Sequence, residues 1–181
     1  MPKIVTIPAC NELFDEKRNE FISTKEQTLK LEHSLVSLSK WESKWHKPWL
    51  GEQHTDEEVI DYIKDMTITQ NVDPNVYRVM PASIIKEIAE YINDPMTAST
   101  INNNRQERPS REIITSEVIY YWMFANNIPL EFEKRHLNRL IMQIRVCSAK
   151  SNPGKKMTRN EILAQNKQLN AVRRAKTHSR G

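Results

Sequence analysis

The apolar residues of this chain follow two different periodicities, and the change from one to the other constrains its fold more than any other feature. The segment KIVTIP places Val5 and Ile7 on one face of a strand, and Ile4 and Thr6 on the other. The charged run in FDEKRNEF predicts a hairpin turn, and LKLE alternates again like a half-buried strand. Residues 1–33 are therefore predicted to form a small antiparallel sheet of three strands.

Beyond this region the apolar residues recur at the spacing of helices. Ser34 is a typical helix N-cap and Pro48 a typical stop, so they bound a predicted helix. Thr55 and Glu58 form a capping-box pattern in front of VIDYIKDM. DPNVYRVM predicts a short helical turn, and PASIIKEIAEYIND predicts a further helix with an isoleucine stripe.

The second half of the chain contains the most apolar segment. IITSEVIYYWMFAN, residues 113–126, is apolar almost all round, which is typical of a central, buried helix. Residues 130–148 follow as an amphipathic helix, and the two segments together predict an antiparallel helical hairpin at the heart of the core. The polar residues 94–112 are expected to form a mobile loop.

These patterns predict an α+β fold that is mainly helical, with a small N-terminal antiparallel sheet or hairpin packed on a body of five or six helices. A chain of 181 residues with 38% hydrophobic residues can bury one modest core. We therefore expect one globular domain over residues 1–149, β-rich over 1–33 and helical over 34–149. A basic linker and a basic C-terminal helix or arm follow over 150–181.

The charge is divided unevenly along the chain. Residues 150–181 hold nine of the 27 lysines and arginines but one of the 23 acidic residues, so this segment carries about +8 and the remainder about −4. A basic tail favours an anionic partner, which can be nucleic acid, an acidic protein or the acidic body of a second copy. The alternative is a solvated, poorly ordered terminus. The candidate partner-binding residues of this segment are Lys155, Lys156, Arg159, Arg173, Arg174 and Lys176.

The segment SLSKWESKWHKPW carries three of the four tryptophans at a spacing of four. Trp41, Trp45 and Trp49 can form a platform that binds an aromatic group or a peptide of a partner. The alternative is that they anchor the core between the sheet and the helices. Glu42 lies between the tryptophans and is expected on the solvated side of the helix.

A second group of candidate residues lies on the polar side of the amphipathic segment 130–148, namely Arg135, Arg139 and Arg145. Phosphate contacts need only such charges. Base readout needs a recognition helix, a stacking platform or a zinc module, and the sequence carries no signature of one. Any binding of nucleic acid is therefore expected to be non-specific.

Several broad classes of protein are excluded by simple features. No apolar run approaches the roughly 20 residues of a membrane-spanning helix. The first residues, MPKIVTIPAC, do not resemble a signal peptide. Two cysteines, Cys10 and Cys147, cannot make a disulfide framework, which favours a reducing cytosol.

The common signatures of catalysis and cofactor binding are missing from the sequence. Three glycines are too few for a Gly-rich phosphate loop, and no histidine pairs with a cysteine at zinc spacing. His136 is expected at the surface or its boundary. Glu57, Asp61 and Asp65 lie at a spacing of four and can hold a metal, but without a helping histidine a solvated acidic face is favoured. We predict no catalytic residue, no metal and no cofactor.

The residues also carry a resemblance that runs in order along nearly the whole chain. Four segments resemble small tailed-bacteriophage proteins from the tail-gene region, the tail assembly chaperones, namely SLVSLSKWESKWHKPWL, DYIKDMTITQNVDPNVY, SREIITSEVIYYWMFANNIPLEFEKRHLNRLIMQIRVC and KKMTRNEILAQNKQLNAVRRA. The resemblance implies a non-enzymatic scaffold that coats the tape-measure protein, helps to recruit tail-tube subunits and forms homo-oligomers. It implies that the protein acts in the cytoplasm of the bacterial host during phage assembly.

Two other functions remain open at this point. One is a structural component of the virion, such as a neck, connector or tail-terminator subunit. The other is a nucleic-acid-binding regulator that uses the basic tail.

Overall fold

The computed structural model of the chain describes residues 2–15, 19–99, 113–151 and 159–177. It shows an α+β fold that is mainly helical with a small antiparallel β-structure at the N-terminus, which confirms the predicted fold class. The chain divides into two compact units, Met1–Cys147 and Ser148–Gly181. Within the described ranges, no helix is long and apolar enough to span a bilayer.

The described N-terminal residues form four strands in two antiparallel ladders, so the predicted single sheet of three strands is wrong in this respect. Pro8 follows the first strand and has no N–H to donate, so the outer ladder ends before it and a second hairpin is nested inside. The strands are β1 (Lys3–Ile7), paired with β4 (Gln27–Leu31), and β2 (Cys10–Asp15), paired with β3 (Glu20–Thr24).

The outer ladder has one apolar face, as its alternating sequence predicts. The register places Val5 opposite Leu29 and Lys3 opposite Leu31. Val5, Leu29 and Leu31 are buried, together with Ile7, whereas the intervening side chains are exposed. This face covers one side of the hydrophobic core.

Helix α1 (Leu35–Trp45) forms the centre of the core. The Ser34 hydroxyl accepts the N–H of Ser37 and caps the helix, as the sequence predicts. Leu35, Leu38 and Trp41 are completely buried. Three elements pack against this helix: α2 (Asp56–Met66), α4 (Ser116–Ala125) and the 3-10 turn Leu130–Lys134.

Helix α2 begins at the predicted capping box. The Thr55 hydroxyl accepts the Glu58 N–H, and the Glu58 carboxylate accepts the Thr55 N–H at 2.8 Å. The helix buries Tyr62, Ile63 and Met66. It is followed by a 3-10 turn, Pro74–Tyr77, where a helical turn was predicted, and by α3 (Ala82–Asn93), which packs against β1.

Helix α4 is not the buried central helix that the sequence predicts. It buries Ile119 and Met123, but Tyr121 is 68% exposed and Phe124 is 65% exposed. The helix lies with one face on α1, so it carries more apolar surface than the core of this unit covers. The hydrophobic centre is therefore α1 rather than the segment 113–126.

The predicted helix over residues 130–148 is broken in two. Its first residues form the 3-10 turn Leu130–Lys134, and α5 (Leu137–Ser151) starts only after it. His136 makes an antiparallel bridge with Ser34, and the Leu137 N–H donates to the His33 carbonyl at 2.7 Å. These contacts hold the backbone extended at His136, so the predicted helical hairpin is interrupted in its second arm.

The second unit contains α6 (Arg159–Thr177), a helix where the sequence predicts one. Its side chains are exposed wherever the structure describes them, including Ile162, Leu169 and Val172. Two predictions fall outside the described residues, namely most of the predicted mobile loop (100–112) and the predicted linker (152–156).

A buried carboxylate joins three parts of the first unit. Glu42 of α1 is 8% exposed rather than solvated as predicted. One of its oxygens accepts the Trp49 N–H at 3.2 Å, and the other accepts the Ser116 N–H at 2.7 Å. Ser116 is the first residue of α4, whose N-cap side chain makes no capping bond. Glu42 therefore caps α4 from a neighbouring helix and also fixes the loop that follows α1.

We expect Glu42→Gln to lower the free energy of unfolding by about 2 kcal/mol, because the amide has one acceptor oxygen for two buried N–H donors. Urea unfolding at pH 7 measures the change. The control is Glu52→Gln in the exposed turn after Trp49, which we expect to stay within about 0.5 kcal/mol of wild type. Equal stability of Glu42→Gln and wild type would contradict the role of the carboxylate.

Candidate functional site

The tryptophans of the predicted platform are mostly inside the protein. Trp41 is completely buried and Trp49 is 9% exposed, while Trp45 is partly buried. The Trp49 ring stacks between Tyr62, at 3.8 Å between centroids, and His54, at 4.0 Å. Trp41 and Trp49 therefore offer no open face to a partner, and the alternative interpretation as core anchors fits this geometry.

The predicted acidic face of α2 is only partly solvated. Glu57 is exposed, but Asp61 is 7% exposed and accepts hydrogen bonds from Lys44 and, at 2.9 Å, from Trp45 Nε1. Burial alone would raise the pKa of Asp61, but these hydrogen bonds outweigh it and hold the pKa below its usual value. Burial raises the pKa of Asp65. Asp61 therefore belongs to a structural ion pair with Lys44 and Lys64, and no three potential metal ligands come together in the described ranges.

His136 is buried, with 3% of its surface exposed, and the expectation of a surface position is wrong. The cause is the bridge to Ser34, which draws the residue into the interior. Its Nε2 lies 3.0 Å from the Tyr91 carbonyl oxygen. Because a carbonyl only accepts, Nε2 carries the proton and Nδ1 is left as an acceptor. No described group donates to this Nδ1.

A second buried histidine lies against His136. The His33 ring centroid is 5.1 Å from that of His136, and His33 Nδ1 is 2.7 Å from the Tyr62 hydroxyl. Burial, aided by the neighbouring His136, lowers the pKa of His33 to about 3. Burial also lowers the pKa of His136. Both imidazoles are therefore neutral at pH 7.

A cavity of about 370 Å³ opens beside this histidine pair. Its charged and polar lining comes from the end of the 3-10 turn, the start of α5 and the residue after β4. These residues are Glu32, Lys134, Arg135, His136 and Arg139, and Pro2 and Met96 complete the wall. In this cavity the structure groups two of the candidate arginines, Arg135 and Arg139, with a buried titratable side chain, His136.

The basic residues of the cavity are arranged by the helix break. Arg135 places its guanidinium 3.5 Å from the centroid of the Phe132 ring. Arg139 lies in the first turn of α5 and is exposed. Lys134, Arg135 and Arg139 make no ion pair with any described residue. Arg145 is also exposed on α5 but does not line the cavity.

The candidates of the C-terminal segment belong to the second unit. Arg159, Arg173 and Arg174 are exposed on α6. Lys155 and Lys156 lie outside the described residues, and the side chain of Lys176 is likewise not among those described. The basic side chains of α6 that the structure describes therefore lie at its surface.

The sequence identifies Arg135 and Arg139 by their charge but does not identify His136 or Glu32 as neighbours. The run Lys134–Arg135–His136 is the signal that was available. This run does not indicate a binding site as long as the segment is interpreted as one continuous helix. The break before α5 brings these side chains to one cavity.

We expect stability to depend on pH through His33. A histidine that is neutral when folded and titrates near 6.5 when unfolded stabilises the fold above pH 6.5 and loses that contribution as the pH falls toward about 3. The free energy of unfolding falls by about 1.4 kcal/mol per pH unit for each proton that the protein takes up only on unfolding. Urea unfolding at pH 7.5, 6 and 5 should therefore show a shallower decline for His33→Asn than for wild type.

The matched control for this experiment is His46→Asn. His46 ends α1 in a left-handed conformation with φ 54°, which asparagine tolerates, and its side chain is exposed. This variant should keep the wild-type slope of stability against pH. Parallel slopes for wild type and His33→Asn would show that His33 is not held neutral by burial.

No protein-family model matches the chain, and neither a curated protein nor a solved structure is significantly similar to it.

Proposed function

We propose that this protein is a non-enzymatic assembly factor of tailed bacteriophages, similar to tail assembly chaperones. In this proposal it binds tape-measure and tail-tube proteins, associates with itself and acts in the cytoplasm of the infected bacterium. The resemblance of the sequence along nearly its whole length motivates the proposal. The observation that carries it is the exposed aromatic face of α4.

The exposed residues of α4 lie on one side of the helix. They are Glu117, Tyr121, Phe124 and Ala125, which follow the spacing i, i+4, i+7 and i+8. About two-thirds of the Tyr121 and Phe124 side chains is open to solvent. Covering each of these rings with a partner would contribute about 1–2 kcal/mol.

Apolar side chains also flank this helix. Ile113, before α4, is 63% exposed, and Leu130, after it, is 51% exposed. Soluble monomers seldom expose several large apolar residues in one stretch of chain unless a partner covers them. This stretch therefore supports a role in protein–protein association.

The C-terminal unit supports self-association in a second way. Helix α6 exposes Ile162, Leu169 and Val172, and a helix with so few apolar side chains is marginally stable without a partner. It belongs to the segment 150–181, which carries about +8, while the rest of the chain carries about −4. Docking of this arm on the acidic body of another copy would give head-to-tail assembly.

We expect the double variant Tyr121→Ser/Phe124→Ser to fold normally and to weaken binding to the tape-measure and tail-tube proteins at least tenfold, because two exposed rings are lost. Biolayer interferometry with the two purified tail proteins measures the affinity. Ile68→Ser is the control, since Ile68 is 50% exposed but belongs to the segment after α2. If both variants bind like wild type, the α4 face is not the binding surface.

We expect the full chain to form multimers that dissociate as salt is raised, because opposite charges on arm and body attract through the solvent. A truncated chain ending at Ser151 should be monomeric in every buffer. Light scattering after size exclusion measures the mass of both at about 50 mM and about 500 mM NaCl. Strict monomers of the full chain at high concentration, with no binding to either tail protein, would contradict the proposed function.

Mass spectrometry of purified virions separates the proposal from a structural role. An assembly chaperone is absent from the finished particle or present in traces. A neck, connector or terminator subunit is present in the copy number of a ring.

Nucleic-acid binding is a second candidate function, favoured by the exposed Arg159 and Arg174 of α6. Such binding would weaken steeply with salt, because each neutralised phosphate releases counterions. A gel-shift series over NaCl concentration tests it, and no shift at low salt removes this candidate.

A further inference from the structure

We propose that the cavity between the 3-10 turn Leu130–Lys134 and α5 binds a phosphate monoester, with Lys134, Arg135 and Arg139 as its cationic partners. The proposal uses no observation on the α4 face or on the oligomeric state. It rests on the charge balance of the cavity, on the arrangement of its donors and on one unpartnered buried atom.

The charges that line the cavity favour a dianion. Lys134, Arg135 and Arg139 supply three positive charges, and Glu32 supplies one negative charge. Glu32 is 9% exposed and accepts the Tyr91 hydroxyl at 2.8 Å, so this carboxylate already has an internal partner. The net charge of the lining is therefore near +2. A phosphate monoester, which is close to a dianion at pH 7, neutralises this charge, whereas a carboxylate or a phosphodiester carries a single negative charge and does not.

The donors of the cavity are arranged to contact an anion. Stacking of Arg135 on Phe132 at 3.5 Å orients the guanidinium without using its N–H groups. Arg139 is four residues further along and lines the same cavity. None of the three basic side chains is engaged in an ion pair by a described residue, so their N–H groups are available to a ligand.

The imidazole of His136 provides the second, independent observation. This residue is 97% buried and lines the cavity, and its Nδ1 lacks a hydrogen-bond partner in the described ranges. A buried polar atom without a partner is unfavourable in the neutral imidazole. Because Nδ1 is itself buried, a phosphate held by the three cations would act on it through charge, which favours the protonated ring.

The size of the cavity also fits a small ligand. Its volume of about 370 Å³ falls in the lower part of the roughly 300–1,000 Å³ that is typical of small-molecule sites. This volume accommodates a phosphate group with a few attached atoms rather than a large ligand.

Binding should be visible at His136 itself. The groups that act on this imidazole include the Tyr91 carbonyl, Glu32, Asp94 and the neighbouring His33, and the amino group at the start of the chain opposes its protonation. A dianion added to this set stabilises the imidazolium, so the pKa of His136 should rise when phosphate binds. A purely structural histidine away from the ligand would not respond.

The experiment titrates the full chain with inorganic phosphate, and then with a simple alkyl phosphate, at pH 7.5 and constant ionic strength. Two-dimensional NMR follows the His136 ring, and calorimetry measures the affinity. We expect a saturable shift of the His136 signals and a higher pKa of His136 in the bound state. Arg139→Gln should weaken the affinity about tenfold, and Arg145→Gln, on the same helix but outside the cavity, should leave it unchanged.

Three results would overturn the proposal. The first is the absence of any saturable change at His136 up to about 20 mM phosphate, a concentration that reaches weak millimolar sites. The second is an equal loss of affinity in Arg139→Gln and Arg145→Gln, which would indicate a diffuse charge effect. The third is a single-stranded oligonucleotide that displaces phosphate from His136 and binds more tightly than phosphate, with an affinity lowered by Arg139→Gln, which would assign the cavity to nucleic acid.

Discussion

One buried carboxylate, that of Glu42, ties together three parts of the first unit. A charge inside a protein is tolerated only when hydrogen bonds replace the water that it has lost. Glu42 meets this condition with the N–H groups of Trp49 and Ser116, which belong to the loop after α1 and to the start of α4. The position of α4 is thereby fixed at its N-terminus, and its rotation buries Ile119 while Tyr121 remains exposed. Glu42 thus holds the start of the helix whose exposed side is the candidate docking face.

The fold class and the local signals could be predicted from the sequence, because they depend on neighbouring residues. The cap at Ser34, the capping box of Thr55 and the alternation around Val5 all act within a few positions of the chain. The burial of α4 could not be predicted in this way. Apolar composition shows that a helix can be buried, but whether other elements cover it depends on how far the core extends. In this chain α1 occupies the centre, and α4 has only one covered face.

The candidate site, too, could be predicted from the sequence only in part. The charges of Arg135 and Arg139 mark them as candidates, yet the cavity exists only because the helix is interrupted between the 3-10 turn and α5. The interruption follows from the bridge between His136 and Ser34, residues about 100 positions apart in the chain. A pairing over such a distance leaves no mark in a local pattern. The sequence therefore predicted two of the cationic residues and gave no sign of the buried imidazole beside them.

The two candidate surfaces of the first unit are physically connected. The Tyr120 hydroxyl of α4 donates to Glu133 at 2.9 Å, and Glu133 lies in the same 3-10 turn as Phe132, on which Arg135 stacks. Burial, together with this hydrogen bond to Glu133, raises the pKa of Tyr120 to about 12, so the hydroxyl keeps its proton and the contact persists at neutral pH. A ligand that moves Arg135 would act on the turn, and the turn is tied to the helix that carries Tyr121 and Phe124. Coupling between two sites is reciprocal, so if phosphate in the cavity changes the affinity of the α4 face, a protein on that face changes the affinity of the cavity by the same factor.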